Sequence, residues 1–82
     1  MKTIIELRKE IDRIDKDIVR LLIERMDISR EIGNTKEKIT DKSREMTVII
    51  NALNTSEEKL DPTFLRELYE LIIAESRRVQ LG

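Results

Sequence analysis

The sequence predicts an all-α fold with three helices per chain, one long and two shorter, and three observations carry that expectation. Apolar residues recur in steps of three and four from Ile4 to Ile32. Charged residues make up 40% of the 82 positions while aromatics make up 2%, a composition suited to long helices packed on one another. Two glycines and one proline leave few places where a helix must stop.

Helix 1 is expected over residues 3 to 36. Ile4, Leu7, Ile11, Ile14, Ile18, Leu21, Arg25, Ile28 and Ile32 form its heptad-like seam. At 1.5 Å per residue it would be about 50 Å long. Gly33 near its end is tolerated at modest cost. A short polar turn over residues 37–40 follows, and Thr40 or Asp41 can cap helix 2. The apolar positions of helix 2 are Met46, Ile49, Ile50 and Leu53, and it fades between Asn54 and Lys59. Asp61 is a good N-cap and Pro62 suits the first turn, so helix 3 starts there and runs to about Gln80. It carries Leu65, Leu68, Leu71, Ile72 and Val79. Helix 1 is too long for its stripe to be covered by two shorter helices of the same chain. An intertwined homodimer with antiparallel long helices is the simplest closed solution.

Composition excludes several functions. The chain has no cysteine and no histidine, which removes disulfides, Cys-based metal sites and catalytic triads built on either residue. Sixteen basic residues against 17 acidic ones, with a net charge of −1, argue against a nucleic-acid partner. No apolar run is long enough to span a bilayer, and the N-terminal stretch has no signal-peptide character. A soluble, cytoplasmic protein is the expectation.

Several residues break the apolar faces. Arg25 sits in the seam, where a snorkelling or register-setting arginine is the ordinary explanation. On an extended helix 1, Ser29, Ile32 and Lys36 would share its stripe, giving two cations about 16 Å apart beside an apolar wall. Lys36 alone would read as a solvated helix-end lysine. On helix 3, Tyr69, Ile73, Ser76 and Gln80 share a face, and Ser76 and Gln80 set two neutral hydrogen-bonding groups beside isoleucine. On helix 2, Asp41, Glu45 and Val48 share a face with Arg44 next to it, a pattern that simple dipole compensation also explains. Arg8 and Arg25 are about 25 Å apart along the axis and cannot serve one site within one chain, though they can across an antiparallel dimer. Taken together, these residues describe a pocket for a small polyanion bearing a hydroxyl. No acid–base pair poised for proton transfer is evident.

The stretch LRKEIDRIDKDIVRLLIERMDISREIGNTK, residues 7–36, resembles the first helix of the all-helical (AroQ) chorismate mutases. The pairs Leu7-Arg8, Ile11-Asp12, Ile14-Asp15, Leu21-Leu22 and Glu24-Arg25, with Ile32-Gly33 and Lys36, carry the likeness. DKSRE at 41–45 is similar to that family's helix 2 motif, and LYELIIAESRRVQ at 68–80 to its helix 3 motif with Ser and Gln four apart. The resemblance implies one domain over residues 1–82 and conversion of chorismate to prephenate, in the shikimate pathway to phenylalanine and tyrosine, with no metal and no cofactor. It implies that Arg25, with Arg8 donated by the other protomer, binds the substrate carboxylates. Lys36 and Gln80 would contact the ether oxygen. Glu45 and the backbone near Asp41 would hold the ring hydroxyl, Ser76 and Arg44 would complete the carboxylate shell, and Ile32, Val48 and Ile73 would form apolar walls. Two departures accompany the likeness. Only Glu37, Lys38, Ile39 and Thr40 separate Lys36 from Asp41, fewer than is usual, with Lys38 a second-choice cation; and Arg77 is bulkier and more charged than the pattern leads one to expect. Two other readings stay open: an isochorismate–pyruvate lyase on the same scaffold, which IDRIDKDIV and Arg25-Met26-Asp27 also resemble, and a non-catalytic helical dimerisation or regulatory module.

Overall fold

The computed structural model describes residues 1–35 and 41–82. Within them the chain forms three helices, α1 (Ile4–Gly33), α2 (Lys42–Ser56) and α3 (Pro62–Leu81), and no strand.

Each helix begins on a side-chain cap that sequence supplies. Thr3 Oγ1 accepts from the Glu6 N–H at 3.2 Å and donates to the Glu6 carboxylate, also at 3.2 Å, which caps the first turn of α1. Asp41 Oδ1 accepts from the Arg44 N–H at 3.0 Å, and Asp61 Oδ2 accepts from the Phe64 N–H at 2.9 Å ahead of Pro62. The expected starts of α2 and α3 therefore hold.

The end of α1 differs from expectation. The helix stops at Gly33, not near residue 36. Gly33 and Asn34 are weak helix formers. The Asn34 N–H closes on the Arg30 and Glu31 carbonyls at 3.2 and 3.1 Å, and the Thr35 N–H closes on Ile32 O at 3.0 Å, tightening the last turn. Helix α2 ends with Glu57 in the left-handed region at φ 49°, the usual device for turning a chain out of a helix.

Helix α3 is the centre of the packing. Both α1 and α2 lie against it, and among the described residues α1 and α2 do not pack on each other. Among the described residues the buried apolar ones, Leu65, Ile73 and Val79, are all on α3. Ile73, read from sequence as a pocket wall, is thus also core. Leu71, placed on the apolar face by its spacing, is 71% exposed.

The core is small because α1 has little to bury against. Ile4, Leu7, Ile11, Ile14, Ile18, Leu21, Ile28 and Ile32 are between 42% and 61% exposed in the single chain. The molecule measures 54 × 25 × 15 Å with a radius of gyration of 15.7 Å. A compact chain of this length would have a radius near ~12 Å. The N-terminal part of α1 extends beyond what the other two helices can cover. No helix among the described residues is long and apolar enough to cross a membrane.

Candidate functional site

A cavity of about 230 Å³ opens where the three helices converge. Helix α1 contributes Arg25, Ile28, Ser29 and Ile32; α2 contributes Arg44, Glu45 and Val48; α3 contributes Ile73, Ser76 and Arg77. Because α1 and α2 each pack on α3 and not on each other, the space between them stays open. A second hollow shares Arg25, Arg44 and Val48 and continues past Asn51 towards Tyr69.

The heptad break at Arg25 has a structural reason. Its side chain is half-buried and donates through Nη1 to the hydroxyl of buried Ser76, which itself lies 3.8 Å from Met26 Sδ. Arg25 is therefore held at the cavity wall by a neutral partner, so its charge is not cancelled there. Among the described residues Arg44 forms no ion pair, whereas Arg77 Nε lies 3.1 Å from Glu45 Oε2. Three guanidiniums and one carboxylate thus line the same hollow beside Ile28, Ile32, Val48 and Ile73. Such a wall suits an apolar ring bearing more than one carboxylate, since a guanidinium can grip a carboxylate with two parallel hydrogen bonds.

The structure brings together Arg25, Ile32, Arg44, Glu45, Val48, Ile73 and Ser76 from the residues singled out in sequence. Asp41 is spent on the α2 cap and does not line the cavity. Gln80 is half-buried on the same face of α3, just outside the lining, and its Oε1 is buried with no hydrogen-bond partner among the described residues. Arg8 is exposed and borders a separate shallow hollow with Ile4, Leu7, Ile11 and Asp12. Lys36, expected on the Arg25 stripe, lies outside the described residues.

Ile28 and Arg77 were given no site role from sequence. Ile28 was legible as the residue one turn beyond Arg25. Arg77 was noticed only as an unexpected charge next to Ser76. Ser29, on the Arg25 stripe, is buried at 5% exposure in the cavity wall, where a larger side chain would fill the space.

The family model for chorismate mutase type II matches residues 7–81, a span that includes every residue lining the cavity. The chain belongs to this family. A bifunctional chorismate mutase/prephenate dehydratase of Aquifex aeolicus (strain VF5) is 43% identical over 60 residues, which amounts to 66% of this chain and 17% of that protein. The chain thus spans about a sixth of the length of the curated relative it matches. No solved structure matches it. Arg77, unexpected from the sequence resemblance, stands inside the cavity.

Proposed function

We propose that this chain is a chorismate mutase, an isomerase that rearranges chorismate to prephenate on the route to phenylalanine and tyrosine. The observation that carries the reading is the cavity itself: an excess of guanidinium over carboxylate on apolar walls, contained in the span that matches the family.

The reaction is a unimolecular Claisen rearrangement. A C–O bond breaks and a C–C bond forms within one molecule, with no nucleophile and no proton transfer. The residue inventory suits it, since neither histidine nor cysteine is needed. The site must fold the enolpyruvyl arm over the ring and hold it there, which converts lost flexibility into rate. In this reading Arg25, steadied by Ser76, and Arg44 hold the carboxylates. Negative charge grows on the ether oxygen as its bond to the ring breaks. Fixed donors aimed at that oxygen contribute a few kcal/mol each, by the same physics as an oxyanion hole (about 3 kcal/mol per donor). Lys36 and the Gln80 amide fill this role in the proposal. Glu45 accepts from the ring hydroxyl, and Ile32, Val48 and Ile73 pack on the ring.

The proposal includes a homodimer. The exposed α1 stripe supports it, because full burial of an isoleucine or leucine stabilises by about 1.5–3 kcal/mol. Antiparallel pairing about a two-fold axis midway between positions 8 and 25 sets Arg8 of one protomer beside Arg25 of its partner. Residues 1–82 act as one domain in this reading, and the cytoplasm is its setting.

Product identification tests the proposal. The purified chain should consume chorismate and yield prephenate in equal amount. Release of pyruvate from isochorismate, with chorismate untouched, would instead make it a lyase. Inertness towards both would leave a helical dimerisation module.

A further inference from the structure

The Arg77–Glu45 pair stands inside the cavity, on the wall between α2 and α3. Glu45 is the lone carboxylate among the described lining residues. Its side chain is 19% exposed and that of Arg77 is 41% exposed. An ionised carboxylate only accepts hydrogen bonds, so Glu45 selects a ligand that offers a donor at that point of the wall. Left alone among Arg25, Arg44 and apolar side chains, a glutamate has several rotamers and would swing to the nearest cation. That would cancel a charge needed for the substrate's carboxylates and withdraw the acceptor.

Arg77 prevents this. It approaches Glu45 from α3, with Nε 3.1 Å from Oε2, and it reaches there because Ser76, its neighbour, faces Arg25 at the helix crossing. The Nε atom is buried and has no hydrogen-bond partner of proper geometry among the described residues, so its contact with Glu45 is an ion pair and not an aligned hydrogen bond. Oε2 faces Arg77, which leaves Oε1 as the oxygen that could accept from a ligand. With the Arg77 side chain 41% exposed and no aligned hydrogen bond between the two, the pair is a weak source of stability, which leaves orientation as its main effect.

We propose that Arg77 is a positioning residue that fixes the Glu45 carboxylate as an acceptor for the substrate's hydroxyl, and so sets the preference for a hydroxylated over a deoxygenated ring. This rests on the chorismate reading, and the experiment separates the two. Turnover of chorismate and of its analogue lacking the ring hydroxyl is measured for the full chain and for Arg77→Met, Arg77→Lys, Glu45→Gln and the Arg77→Met/Glu45→Gln double variant. The unaltered chain should favour chorismate in kcat/KM by about ten- to a hundredfold, the scale of one hydrogen bond to a charged group. Arg77→Met should lose most of that preference, chiefly by slowing chorismate, and Arg77→Lys should restore part of it because the charge is kept but the planar fork is not. The double variant should be no worse than Glu45→Gln alone, since coupled residues do not add. A structural role for Arg77 would slow both substrates equally. An unchanged preference in Arg77→Met, or fully additive losses in the double variant, would overturn the inference while chorismate turnover persists. Failure of the unaltered chain to turn over chorismate defeats the functional reading, and this inference with it.

Discussion

Gly33 of α1 lies flush against the backbone of Gln80 of α3. A β-carbon on Gly33 would fall 2.2 Å from the Gln80 carbonyl oxygen and 2.7 Å from its Cα. Backbone cannot yield as a flexible side chain can. This close approach of the two helices therefore depends on the missing side chain, and it sets the height of the Gln80 backbone beside the cavity.

The Gly33→Ala variant should be destabilised by about 1–3 kcal/mol, the usual cost of overpacking, despite alanine's better helix propensity. Urea denaturation measures it. Turnover should fall as well, because Gln80 must move with the backbone. Equal stability and equal turnover would mean that the helices part without cost.

Arg25→Ala should raise KM at least about tenfold and also lower kcat, since a charge-assisted carboxylate contact is lost. Ser76→Ala should have a smaller effect in the same direction, because it frees Arg25 without removing it. Steady-state kinetics decide this. Unaltered constants for Arg25→Ala would remove the clamp from the account.

Asp41 separates capping from substrate binding. Asp41→Asn keeps a side-chain oxygen for the Arg44 N–H and should leave stability and kinetics nearly unchanged. Asp41→Ala should cost about 1 kcal/mol of stability. If Asp41→Asn instead damaged KM at full stability, its charge would be serving the substrate.

The rate should be nearly flat between about pH 6 and 8, because the chain lacks the one side chain that ordinarily titrates there. Glu75 illustrates where pH does act. The hydrogen bonds from Arg78, at 2.6 and 2.8 Å, hold its carboxyl below the ordinary value of 4.5. A lowered carboxyl stabilises the fold above the unfolded value and loses that effect as pH falls through the folded one. Its influence is confined to acid. A rate profile with a steep limb near neutrality would contradict this.

Much of the fold is legible in the sequence because its signals are local. Asp41 and Asp61 cap helices within three residues of themselves, and Pro62 marks the start of α3 without reference to anything distant. The end of α1 was placed a few residues late because the periodic apolar pattern does not feel Gly33 meeting Gln80, a contact between residues 47 apart in the chain. The cavity was legible where a residue broke its own helix's pattern, as Arg25 and Ser76 do. It was not legible at Arg77, an ordinary surface-like charge whose meeting with Glu45 crosses from one helix to another. Leu71 shows the converse failure: its spacing marks it as core, yet it faces outward in the single chain.

The claim on which the rest depends is that each site is assembled from two chains, and subunit mixing measures it directly. Chains carrying Arg8→Ala are mixed with chains carrying Arg25→Ala, exchange is verified by mass, and chorismate turnover is followed. Each parent alone should be nearly inactive. The mixture should recover about a quarter of the unaltered activity, because random pairing makes half the dimers mixed and each of these holds one intact site. No recovery after complete exchange would show that each chain builds its site alone.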